Sequence, residues 1–183
     1  LGYDTTNTSQ TSSLPLSVSN ISTATSVSAG LTYNCAVLSG GTVKCWGQNS
    51  GGQLGNGTTS TSTTPVSVSN ISTATSVSAG SAHTCAVLSG GTVKCWGYGN
   101  YGQLGNGSTS HQSAPVSVSN ISTATSVSAG GQHTCAVLSG GTVKCWGYGN
   151  YGNLGNGSTS NWSTPVSVSG ISTATSVSVG VHC

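Results

Sequence analysis

The chain has 183 residues, and only 2% of them are charged, against roughly 25% in ordinary soluble proteins. The charged side chains are Lys44, Lys94, Lys144 and Asp4, for a formal net charge of +2. One lysine per period makes no basic face for nucleic acid or an anionic membrane surface, no apolar run nears the ~20 residues of a membrane span, and a lone carboxylate forms neither an acid pair nor a repeated Ser-His-Asp set.

The order of elements is set by a repeat of fifty residues, marked by Pro15, Pro65, Pro115 and Pro165 and by Trp46, Trp96 and Trp146. Read from proline to proline, residues 1–14 are a partial repeat or loop, 15–64, 65–114 and 115–164 are three repeats, and 165–183 begin another. Each period starts with a stretch such as "PVSVS", whose apolar and polar residues alternate as in a half-buried strand. "ATSVSAG" alternates in the same way and ends on glycine. "TCAVL" and "TVKCW" flank "SGG", which reads as a hairpin. "GYGNYGQLGNGSTS" reads as loop from its glycine, asparagine and serine content. Helical periodicity is absent, and four short strands per period predict a propeller blade.

The stretch from Gly80 to Ser108, "GSAHTCAVLSGGTVKCWGYGNYGQLGNGS", resembles the RCC1 repeat (regulator of chromosome condensation), and the match recurs at 130–158 and more weakly at 30–57. The resemblance implies an all-β fold: RCC1-like β-propeller blades of four short strands, about 50 residues each. Departures are Gly40-Gly41, Gly90-Gly91 and Gly140-Gly141 where the family usually has Asp-Gly, Tyr33 in place of His, and Asn153 in place of Gln. The founding member's exchange activity on a small GTPase rests on residues outside the repeat pattern, and nothing here matches them.

The cysteines give the sharpest local expectation. Within each hairpin they stand ten apart. A three-residue turn with Gly41 left-handed sets Cys35 directly opposite Cys45, where two sulfurs can meet. The pairs expected are therefore Cys35–Cys45, Cys85–Cys95 and Cys135–Cys145. Buried free thiols are the alternative; zinc ligation calls for closer pairs than these. Cys183 has no evident mate, which fits a fragment or a bridge to another chain.

Trp46, Trp96 and Trp146 are expected to pack blade on blade. His83, His133 and His182 lie just before a cysteine and are read as strand residues bonded within their blade, while His111 lies in a loop. Asn-x-Ser/Thr sequons at Asn7, Asn20, Asn56, Asn70, Asn106, Asn120, Asn156 and Asn161 are candidate glycan acceptors, as is the "TTSTSTT" tract at 58–64. Asn-Gly is also simply a turn dipeptide. Trp162 interrupts a polar loop, either as an interaction anchor or as cover for a blade edge.

Three complete hairpins amount to a partial propeller. A seven-bladed ring would need two such chains or a longer parent, and an open stack of blades would grow into a fibre. The expected role is an extracellular or cell-surface structural protein that associates with itself, without catalysis, cofactor or metal. The alternative is a propeller module that binds a protein or glycan, and variation between the loops of otherwise constant blades is the feature that would favour it.

Overall fold

The computed structural model describes residues 14–180, which form no helix. Strands β1 (Ala24–Ala29), β2 (Tyr33–Leu38), β3 (Val43–Gly47) and β4 (Ser62–Ser67) make the first antiparallel sheet, joined in chain order. The second sheet holds β5 (Ala74–Ala79), β6 (His83–Leu88), β7 (Val93–Gly97) and β8 (Gln112–Ser117). The third holds β9 (Ala124–Ala129), β10 (His133–Leu138), β11 (Val143–Gly147) and β12 (Trp162–Ser167). These are the expected four-stranded blades, but their phase differs from a proline-to-proline reading. Pro65, Pro115 and Pro165 lie inside the fourth strand of a blade. That edge position suits proline, which has no N–H for a ladder.

The hairpins follow from their glycines. Leu38 N–H donates to the Thr42 carbonyl and Gly41 N–H to the Leu38 carbonyl, each at 2.9 Å, closing a three-residue loop. Gly40 and Gly41 have φ of 98° and 81°, values that a side chain would strain. That loop sets the register Val37↔Val43 and Cys35↔Cys45. The structure joins Cys35 to Cys45, Cys85 to Cys95 and Cys135 to Cys145, each across a Cα–Cα distance of 4.1 Å. Such close approach belongs to the non-hydrogen-bonded pairs of an antiparallel ladder.

Blades stack face to face. β5 lies against β1 and β2 of the first blade, and β9 lies against β5 and β6 of the second. The core between blades one and two contains Cys35, Val37, Cys45 and Leu54 from one side and Ala79, Ala86 and Trp96 from the other. Blades two and three repeat this with Cys85, Val87, Cys95 and Leu104 against Ala124, Ala136 and Trp146. The disulfides thus sit in the stacking core, where they supply sulfur surface to a set of small side chains. The stretch 174–180 covers the far side of blade three with Ala174, Val177 and Val179.

Candidate functional site: the blade junction and its open ends

Each blade sends a long loop, residues 48–61 in the first, across to its successor. Asn49 holds this loop from within: its Oδ1 accepts from Leu54 N–H at 2.9 Å, and its Nδ2 donates to the Thr58 and Ser60 carbonyls at 3.0 Å. Leu54 is thereby fully buried. Beside it, the Gln53 carbonyl accepts from the Trp96 indole N–H at 2.9 Å and the Thr84 hydroxyl at 2.8 Å, both on the next blade. Gln103 does the same for Trp146 and Thr134. Gly57 N–H and Gly107 N–H then donate to the Ser113 and Ser163 carbonyls on the next blade's fourth strand, each at 2.9 Å.

A second set of bonds joins the first strands. Ala79 N–H donates to Ser28 Oγ, Ala129 N–H to Ser78 Oγ and Val179 N–H to Ser128 Oγ, at 2.9–3.0 Å. Leu31, Ser81 and Gly131 donate backbone N–H groups to the carbonyls of Gly80, Gly130 and Gly180. A β-carbon on Gly30 would stand 2.5 Å from the Gly80 oxygen. These glycines therefore let successive backbones meet.

His83 acts across the junction, which corrects for this residue the expectation of a bond within its blade. His83 is fully buried, and its Nε2 lies 2.8 Å from the Thr134 hydroxyl. Thr134 gives its one proton to Gln103, so His83 is assigned the tautomer with Nε2–H as donor. Its Nδ1 is buried without a partner. In the first junction Tyr33 takes this place, donating to the His83 carbonyl at 2.6 Å, beside Thr84. His182 lies outside the described residues.

Burial, reinforced by His133, pushes the His83 imidazole down to about 3; burial lowers His133 as well. An unfolded histidine takes up a proton below its ordinary value near 6.5. The stability that comes from keeping His83 neutral is therefore complete above pH 6.5. It falls by about 1.4 kcal/mol per pH unit as the solution is acidified toward 3. We expect thermal unfolding to shift to markedly lower temperature between pH 7 and pH 4. His83→Tyr, which copies the first junction, should flatten that slope. A midpoint indifferent to acid would contradict the assignment.

The tryptophans occupy matching positions with different partners. Trp96 and Trp146 are fully buried and bonded to the preceding blade, whereas Trp46 Nε1 has no partner among the described residues. The same asymmetry marks β1. Val27 is 70% exposed and Leu31 60%, and Ala24 and Ala29 are exposed too. Their counterparts Ala74 and Ala79 are 6% exposed under blade one, with Val77 packed beside them. On blade three, none of the described residues fills the places that Ala86 and Trp96 fill in the first junction. A cavity of ≈ 440 Å³ opens there, lined by His133, Cys135, Cys145, Leu154, Val177 and Val179 among others.

Among the sequons, Asn20, Asn70, Asn120 and Asn161 are exposed, and Asn56, Asn106 and Asn156 are half-buried. The latter turn Oδ1 inward onto the backbone N–H two residues on. Asn7 lies outside the described residues, as does Cys183. Trp162 opens β12 at 39% exposure. Thr84, Thr134 and the Gln53 and Gln103 carbonyls escaped the sequence reading, because their partners lie in another repeat.

The pattern described as the regulator of chromosome condensation (RCC1) repeat matches residues 40–87, 90–137 and 140–183. The chain belongs to the RCC1 repeat family. A second description of the RCC1 repeat matches 24–53, 74–103 and 124–153, starting where each blade starts. No curated protein sequence matches this RCC1-repeat chain. Human WBSCR16 is similar in structure, with a TM-score of 0.72 and 23% identity over 80% of this chain and 38% of that one. Prp20p from Saccharomyces cerevisiae, described with its binding to Gsp1p and histones, gives 0.74 and 21% over 88% and 42%. Yeast RCC1 (Prp20) bound by Kap60 gives 0.71 and 20% over 81% and 37%. The RCC1-repeat chain therefore spans about two fifths of the length of these structures, and the likeness is one of fold.

Proposed function

We propose that this RCC1-repeat chain works by non-catalytic association in an oxidising, extracellular setting, and that its first partner is a second copy of itself. The observation that carries the reading is a pair of incompletely covered blade faces among the described residues. β1 exposes its outer face, and a cavity opens on blade three beside the stretch 174–180, at faces equivalent to those that meet between blades one and two and between two and three. Residues 174–180 hold a first strand's place on blade three, so a second copy's β1 would replace that stretch, and Val27 would be partly covered there, as Val77 is. A head-to-tail contact of this kind closes into a ring or grows into a filament, according to the rotation per copy.

Three buried disulfides support the oxidising setting. A chain with one carboxylate, and with the His83 imidazole committed to a bond between blades, is poor in the usual general acids and bases, which supports association over chemistry. Sedimentation should show a dimer or larger species under oxidising conditions. Val27→Glu, at a position exposed within one copy, should return it to monomer. A wild-type chain that stays monomeric well above micromolar concentration overturns the reading, as does an oligomer indifferent to that substitution.

A further inference from the structure

Five rings run in a line across the loops of blades two and three. Their centroids are separated by 4.3 Å for His111–Tyr98, 6.5 Å for Tyr98–Tyr101, 5.1 Å for Tyr101–Tyr148 and 5.9 Å for Tyr148–Tyr151. The line crosses the blade junction at Tyr101–Tyr148. Tyr151 is 75% exposed, and His111, Asn100 and Asn150 are exposed beside the row. The Asn100 amide donates to the Tyr98 hydroxyl at 2.8 Å, so the polar ends of the row are oriented.

These rings are not needed to build the loop. Blade one has Gln48, Ser50 and Gly51 where blade two has Tyr98, Asn100 and Tyr101 and blade three has Tyr148, Asn150 and Tyr151. Its loop nevertheless takes the same turns and buries Leu54 as fully as Leu104 and Leu154 are buried. In a chain whose blades are otherwise nearly identical, side chains that vary without affecting the fold are available for recognition.

We propose that this tyrosine row is a binding site for a neutral, chain-like oligosaccharide. The loops that carry it, 98–111 and 148–161, contain no Lys, Arg, Asp or Glu. Lys44, Lys94 and Lys144 are held instead by the carbonyls of Asn20, Asn70 and Asn120, before each first strand, at the opposite end of the sheets. The surface therefore offers an ionic ligand nothing to pair with. It offers ring faces whose negative potential suits the C–H faces of sugar rings. It also offers phenol and amide groups that donate to and accept from hydroxyls. A row, rather than a single ring or a closed pocket, suits a polymer read several units at a time.

The site is separate from the end faces of the blades, so it stands or falls independently of self-association. The probes are cellohexaose, laminarihexaose and xylohexaose in isothermal titration calorimetry, with an uncharged proline-rich peptide and heparin run alongside. Saturable binding of at least one neutral hexasaccharide, insensitive to salt, is expected. The variant Tyr98→Gln, Tyr101→Gly, Tyr148→Gln, Tyr151→Gly writes blade one's residues into the other two. It should weaken binding about tenfold or more with disulfides and melting midpoint retained. The proposal is overturned if none of the three sugars binds at millimolar concentration, or if binding survives the variant. It is overturned equally if the peptide or heparin, rather than a neutral sugar, is the ligand that the variant loses.

Discussion

Full reduction of the three disulfides is expected to leave the chain unfolded or nearly so at body temperature. Each closes a loop of ten residues, and a loop of that size is worth about 2–3 kcal/mol on the chain-entropy account. Three in separate blades sum to about 6–9 kcal/mol, against a total stability of about 5–15 kcal/mol for a typical domain. The sulfurs also fill space. Cys35, Cys45, Cys85 and Cys95 are fully buried within stacking cores whose other members are Val, Ala, Leu, Ile and one Trp, with Tyr33 added in the first. Melting with and without a phosphine reductant, with thiol titration to verify reduction, should show a fall on the order of 20 °C in midpoint. A reduced chain that melts where the oxidised one does would show that packing alone holds the blades. The double substitution Cys85→Ala, Cys95→Ala should reproduce about a third of the effect.

Gly80→Ala is the second large effect, and it acts between blades rather than within one. The new methyl would lie far inside van der Waals contact with the Gly130 carbonyl oxygen and 3.0 Å from the His83 ring. That oxygen cannot simply move away, because it accepts the Ser81 N–H bond across the same junction. The expected cost is about 3 kcal/mol, the upper end for overpacking, or on the order of 10 °C in melting midpoint. Gly90→Ala is the control. Gly90 has nothing within 4 Å of such a methyl and only a φ of 93° to strain, so it should cost about 1–2 kcal/mol. Hydrogen exchange should then show Gly80→Ala loosening amides of β5 and β9 while the β6–β7 hairpin stays protected. Equal losses for the two variants would mean that the column of glycines is not a contact between blades.

What could be read from the residues was whatever is local. The period, the four strands, and the opposition of Cys35 and Cys45 all follow from alternation, glycines and a spacing of ten within a dozen residues. The phase of the blade was hidden. "PVSVS" reads as a strand by alternation, yet only its first residues lie in a strand, the last of a blade, and alternation does not say which neighbour a strand will join. The junction was hidden for a different reason. His83 meets Thr134, and Trp96 meets the carbonyl of Gln53, across separations of 51 and 43 residues. Such distances leave no periodic trace beyond the repeat itself. The tyrosine row escaped for the same reason, since Tyr101 and Tyr148 become neighbours only when blades stack.

The confinement of the three described disulfides to their own hairpins bears on how the protein is made. Six thiols can be joined in many ways, and most of those ways would tie one blade to another before either had formed. Here the native partner is always the nearest along the chain, so its encounter carries the smallest loop-closure cost. A hairpin can oxidise as soon as both its strands reach an oxidising medium, before the next repeat has folded. The order of assembly is then the order of translation: each blade is cross-linked first and stacked second. Lengthening the array by whole repeats leaves the native mate of each thiol the nearest along the chain.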